Sequence, residues 1–197
     1  VTEVAGGEGE VPSMPGVERL TLDGAKRAAE RAMELGIPAV CIFPHSDPDL
    51  KTEDCARAWD PENIGNRAIR AIKQVAPELA VMTDIALDPY NINGHDGFVR
   101  DGIIVNDETV AALVRMALAQ VDAGADILGP SDMMDGRIAA LRAALEGGGH
   151  KDVAILSYAA KYASGFYGPF RDAVGASGRL VGDKKTYQAN PGNSDEA

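Results

Sequence analysis

The stretch DIALDPYNINGHDG, residues 84–97, carries Asp84, Asp88, His95 and Asp96 where an apolar run opens into a polar loop. Side chains alternate along a strand, so Asp84, Ala86 and Asp88 share one face while Ile85 and Leu87 take the other. Two acids and a small residue on one wall suit a metal or acid/base site; the alternative is a strand end with solvated acids. Lys161, in ILSYAAKYAS, follows an almost wholly apolar run, which predicts a partly buried amine. A desolvated amine loses its proton more easily and can add to a ketone as a Schiff base; the alternative is a lysine that snorkels to the rim. Arg171, in GPFRDA, offers a planar fork for a substrate carboxylate or for a surface ion pair.

Positioning these residues requires strands that end at one common rim. DGAKRAAERAMEL has helical periodicity, stops at Gly36 and hands over to the β-rich IPAVCIFP. The step recurs: NIGNRAIRAIKQVAP precedes LAVMTDIAL, and NDETVAALVRMALAQVDAGA, with Asn106 or Asp107 as N-cap, precedes ADILGP. A fourth helix in SDMMDGRIAALRAALEGGG leads to DVAILSYAA. Residues 1–20, rich in Gly, Pro and Glu, read as a loop, and SGFYGPFRDAVG as a looser aromatic segment. Such alternation predicts a parallel sheet wrapped by helices, either doubly wound or a barrel. Every polar cluster follows a strand, the end where a barrel gathers its chemistry. Neither G-x-G-x-x-G after a strand nor G-x-x-x-x-G-K-[ST] is present, which counts against a nucleotide-binding version.

A chain of 197 residues, 45% hydrophobic and 25% charged, suits one globular domain. Its net charge of −11 argues against nucleic acid as a partner and leaves small metabolites. Cys41 and Cys55 have no metal-ligand spacing; both read as reduced thiols, Cys41 as a core residue. With no signal-peptide pattern and no long apolar run, the expectation is a cytoplasmic protein without a membrane span. The chain starts on Val1 rather than Met, which points to a piece of something longer.

SMPGVERL, DIALDPYNINGHDG, VNDETV, GADILGPSDMMDGRI, ILSYAAKYASGFYGPFRDAVG and DKKTYQANPGNSDEA occur in this order. Together they closely resemble the porphobilinogen synthase (5-aminolevulinate dehydratase) family over the whole chain. The resemblance implies a (β/α)8 barrel with an N-terminal arm, assembled as an octamer or hexamer. Its expected reaction condenses two 5-aminolevulinate molecules, with loss of water, to the monopyrrole from which haem is built. Lys161 then matches the Schiff-base lysine of the AKYAS motif, Arg171 the arginine that grips the substrate carboxylate, and Gln188 a residue that assists it. Lys184 falls where many relatives carry a second carboxylate-binding arginine, so a point charge replaces a fork. Asp84 matches an acid that shuttles protons; Ser131, Tyr158 and Tyr167 match residues lining the substrate pockets. His95 matches a family position as well, with a structural role expected of it.

In zinc-dependent relatives three cysteines stand at the positions of Ala86, Asp88 and Asp96. Carboxylates are hard ligands that suit magnesium or water, so the chain resembles the zinc-independent branch, with Asp88 and Asp96 contacting the substrate amine or magnesium. Glu196, in NSDEA, resembles the carboxylate that binds an allosteric magnesium in many bacterial and plant members. The family continues beyond NSDEA to a Val-Lys-Pro strand end whose lysine holds the other substrate, and then through the last barrel strands. These 197 residues contain no Val-Lys-Pro, and VTE resembles only the end of the first strand. The expectation is a single incomplete barrel domain, residues 1–197, with strands two to five, which does not turn over alone. Two other readings stay open: a class I aldolase-like Schiff-base barrel, and a non-catalytic interaction piece.

Overall fold

Residues 1–20 are more ordered than a loop. β1 (Gly9–Glu10) and β2 (Glu18–Arg19) form a small antiparallel hairpin. Thr21 is extended, and its hydroxyl accepts the Gly24 N–H at 3.1 Å, so α1 (Leu22–Glu34) starts there. β3 (Ala39–Ile42) follows. Asn63 caps α2 (Ile64–Val75) in the same way, accepting the Asn66 N–H at 2.8 Å, and leads to β4 (Ala80–Ile85). The structure, a computed structural model, describes residues 1–176 and 182–196.

A second hairpin, β5 (Phe98–Arg100) with β6 (Ile103–Val105), was not foreseen and delivers the chain to α3 (Asn106–Asp122). Neither Asn106 nor Asp107 is the N-cap of α3. Val105 holds the cap position, and Asn106, already helical, exchanges two hydrogen bonds with the Asp135 backbone at 2.8 and 3.1 Å. β7 (Ile127–Pro130), α4 (Arg137–Gly147), β8 (Ala154–Ile155) and α5 (Tyr167–Ala173) complete the elements. The segment SGFYGPFRDAVG thus contains a helix.

β3, β4, β7 and β8 form one parallel sheet in that order, and each successive pair is joined through a helix. Val81, Ile85 and Leu128 point to the helices and pack with Ile69, Ile72, Leu113, Met116, Leu141 and Leu145, all buried. Each such side chain contributes about 1.5–3 kcal/mol of burial. The alternate residues face the opposite side, where α5 covers only the C-terminal rim: Phe170 meets Phe43 edge to face at 5.1 Å between ring centroids. Cys41, expected in the core, lies on this second face and is exposed, because its strand neighbour Ile42 takes the helix side; Cys55 is buried. Among the described residues no helix is long and apolar enough to cross a membrane.

Candidate active site

β4 presents Asp84 at the rim, in register with Gly129 of β7. The approach is close: a Cβ at position 129 would fall 2.5 Å from Met82 Cε, the movable end of a side chain, and 3.1 Å from the Thr83 carbonyl oxygen, so any larger residue would press on β4. The loop beyond β4 then doubles back. The buried Asn91 amide donates to the carbonyls of His95 (3.1 Å) and Gly97 (2.8 Å), and Leu87 N–H donates to the Asp96 carbonyl at 3.2 Å. This turn chemistry brings Asp96 alongside Asp88. Lys161, past β8, forms a parallel bridge with the 182–189 segment through Tyr162 and Ala189, and its carbonyl accepts the Ala189 N–H at 2.9 Å. That bridge carries Lys184 and Gln188 to the same rim.

The charged groups form one buried network. Lys161 Nζ donates to the Ser131 carbonyl at 2.5 Å and lies 3.5 Å from Asp96 Oδ2. Lys184 Nζ donates to Asp96 Oδ1 (2.5 Å) and to Asp88 Oδ2 (3.3 Å). The Ser131 hydroxyl donates to Asp84 Oδ1 at 2.6 Å. Burial, reinforced by the charge of Asp88, pushes the Asp84 carboxyl up to about 7. Burial also lifts Asp96 above the usual carboxylate range, against the pull of Lys161 and Lys184. For Lys184 burial works toward neutrality, and Asp88 and Asp96 more than offset it, so the ammonium is held charged.

Eight of the residues singled out in the sequence converge on one cavity: Asp84, Asp88, Ser131, Lys161, Tyr167, Arg171, Lys184 and Gln188, together with Phe170. Asp96 stands behind it between the two lysines. The Lys161 ammonium lies 5.5 Å from the Tyr167 ring centroid. Arg171 lines the cavity, and among the described residues it makes no ion pair. The cavity encloses about 10 Å³, room for roughly one water. Tyr158 lies over Gly129 on the open face, outside the cavity lining. Its phenol is pushed up to about 12 by burial and then by Asp84. His95 turns from the cavity to the Tyr187 hydroxyl, 3.0 Å from Nδ1.

Four further residues support the site without having been picked out: Asn91, Asp132, Arg137 and Tyr187. The Asn-x-Asn-Gly pattern was a turn signal that could have identified Asn91. For Arg137 and Tyr187 the partners are distant in sequence, and no local pattern marks them.

The residues do not fit a divalent ion between Asp88 and Asp96, because the Lys184 ammonium already bonds both carboxylates. Glu196 stands apart, its Oε2 accepting the Asn190 N–H at 2.9 Å. Among the described residues no group of three or more His, Cys, Asp or Glu is placed to hold a metal.

A family model described as delta-aminolevulinic acid dehydratase matches residues 1–197. The delta-aminolevulinic acid dehydratase of Rhodobacter capsulatus is 66% identical over 197 residues, all of this chain and 59% of that one. The Bradyrhizobium diazoefficiens protein of the same name is 57% identical over 188 residues, 95% of this chain and 53% of its own. A crystal structure of the Toxoplasma gondii enzyme in complex with the reaction product porphobilinogen superposes with a TM-score of 0.94 at 44% identity, over 99% of this chain and 56% of that one. The chain therefore spans between half and three-fifths of the length of these relatives. Matched from end to end by the family model, it belongs to the delta-aminolevulinic acid dehydratase family.

Proposed function

We propose that this chain carries the part of a porphobilinogen synthase active site that holds one 5-aminolevulinate as a Schiff base on Lys161. In this reading the four parallel strands are strands two to five of an eight-stranded barrel, and residues 1–197 are one incomplete barrel domain. The observation that carries the proposal is the buried Lys161 amine, bonded to the Ser131 carbonyl beside Asp96 and one hydroxyl away from Asp84. An ammonium must lose a proton before it can attack. Asp96 Oδ2, 3.5 Å away and without a hydrogen bond of its own, takes that proton. The freed lone pair adds to the ketone carbon; the carbinolamine then loses its hydroxyl, with a proton, as water, leaving a C=N bond to Nζ. Asp84, with a carboxyl at about 7, is suited to give that proton and to take one back when the ring closes. Arg171 pairs with the substrate carboxylate.

No metal is assigned a part in this half-reaction, since Lys184 supplies the positive charge between Asp88 and Asp96. A cavity the size of one water cannot hold 5-aminolevulinate, so its lining must open to admit it. Condensation to porphobilinogen and assembly into a homo-oligomer, octamer or hexamer, belong to the complete protein in the same reading and rest on family membership.

The test is to treat the protein with 5-aminolevulinate and borohydride and locate the adduct by mass spectrometry. A reduced adduct on Lys161, absent in Lys161→Ala, is the expected result. A folded protein with no adduct would sink the proposal, as would a full-length protein that forms no pyrrole.

A further inference from the structure

The ladder between β7 and β8 is short. It pairs Ile127 with Ala154 and Leu128 with Ile155, and the Leu156 N–H to the Leu128 carbonyl, at 2.8 Å, is its last bond. Ser131 and Lys161 both lie beyond that point: the Ser131 N–H ties β7 to β4 through the Ile85 carbonyl at 3.3 Å, but no β7–β8 backbone pair fixes the contact between the amine and its acceptor. Arg137, the first residue of α4, spans the gap. Its guanidinium donates to the Tyr158 carbonyl on the β8 side (2.9 Å) and to the Met134 carbonyl on the β7 side (3.1 Å), and it touches Met133 Sδ at 3.4 Å. Nε stands 3.4 Å from Asp132 Oδ2, while Asp132 Oδ1 accepts the Met134 N–H at 2.8 Å. Both side chains are almost wholly buried, 10% and 0% exposed, and neither lines the cavity.

The loop they hold is strained. Met133 has φ +71°, a left-handed conformation that costs a bulky side chain of order 1 kcal/mol or more and persists only where neighbours enforce it. Removing the brace would free this turn and the Tyr158 carbonyl from each other, so that the Lys161 side shifts against a Ser131 held to β4 by its N–H. Ser131 is the residue that binds both reacting groups, Lys161 through its carbonyl and Asp84 through its hydroxyl.

We propose that Arg137, aimed by Asp132, is a positioning residue: it braces the end of β7 against the end of β8 and so sets the Lys161 amine relative to Ser131 and Asp84. The inference rests on the Schiff-base reading of Lys161. A guanidinium suits the task because its rigid fork reaches the two carbonyls from two separate nitrogens, whereas a lysine ammonium offers a single nitrogen on a flexible stem.

The experiment follows the rate of borohydride-trappable imine formation with 5-aminolevulinate in the full-length protein, for wild type, Arg137→Lys and Asp132→Asn. The rate constant is read rather than the final extent, because a misfolded fraction lowers the extent alone. Arg137→Lys is expected to slow the rate constant about tenfold or more, the scale of a misplaced reacting group, with substrate affinity changed less than about twofold. Above about pH 8, where the Asp132 carboxyl that burial pushes up to about 7 is ionised, Asp132→Asn, which keeps the shape and removes the charge facing Arg137, is expected to slow it in the same direction by less. Should Arg137→Lys fail to fold, Asp132→Asn carries the test. A folded variant with the wild-type rate constant overturns this inference alone; a wild type that gives no Lys161 adduct overturns the Schiff-base reading and this inference with it.

Discussion

Asp84 and Lys184 are opposite solutions to one problem, a charge without water. Asp84 is buried with a hydroxyl for a partner, and its carboxyl is pushed up to about 7 against an ordinary value of 3.8. Below 3.8 the folded and unfolded forms both hold the proton. Between the two values only the folded form holds it, so stability falls as pH rises through this window and stays low above it. Asp84→Asn keeps a polar partner for Ser131 and removes the charge. Its urea midpoint is expected to exceed that of wild type at about pH 8, by an amount worth a few kcal/mol, and to match it near pH 4. An equal difference at both pH values would exclude the buried carboxylate as its cause. Lys184 stays charged because two acids face it. Lys184→Ala takes from Asp88 the ammonium that faces it and leaves Asp96 with Lys161 alone, 3.5 Å away, a loss of about 3–5 kcal/mol by analogy with broken buried pairs. The variant is expected to gain stability from magnesium that wild type does not, read as a rise in melting temperature on adding the ion. A variant indifferent to magnesium would show that Asp88 and Asp96 cannot act as ligands even when freed.

At the scale of elements, legibility followed the length of the apolar run rather than of the paired strand: β8 has only two residues but lies within VAIL, residues 153–156. α1 to α4 and the four parallel strands were readable because each has a periodic run or a clear apolar stretch. β1, β2, β5 and β6 are two or three residues long, too short to show alternation, and their pairing depends on Val11, Phe98 and other contacts made only on folding. The rim acids were legible as a cluster, whereas the partner of each was not: nothing local tells that Lys184 crosses to Asp88, or that α5 closes over Lys161. α5 is short and takes its order from elsewhere. Arg19 of β2 donates to the Asp172 and Ala173 carbonyls at 2.6 and 2.9 Å, a positive charge on the C-terminal end of the helix that carries Tyr167 and Arg171. Ser13 adds a bond to the Asp172 carboxylate. If this hairpin holds the cover over the cavity, Arg19→Gln should raise amide hydrogen exchange in residues 167–176 about tenfold, the equivalent of one such contact, and leave α2 and α3 unaffected. Unchanged exchange across α5 would place its anchor elsewhere.

The whole molecule is a sheet dressed on one side. Helices cover Val81, Ile85 and Leu128, while Cys41, Met82 and Ile127 lie on the other face with Leu156, which is 52% exposed just past β8. β3 and β8 stand at the two edges of the four-stranded order, and a parallel sheet ordinarily has both faces and both edges covered. The 197-residue chain studied by itself should therefore bind a hydrophobic dye and associate with itself through this face. The net charge of −11 opposes that contact at low ionic strength and is screened by salt over about 10 Å at 0.1 M. Sedimentation is expected to show a weight-average mass that rises with protein concentration, and rises further on adding about 0.5 M sodium chloride. Leu156→Lys, which places a charge on the apolar face beside an edge strand, should lower both the dye signal and the association without disturbing α1 to α4. A monomer at every salt and protein concentration, with no dye bound, would mean that the second face is covered by the chain's own residues.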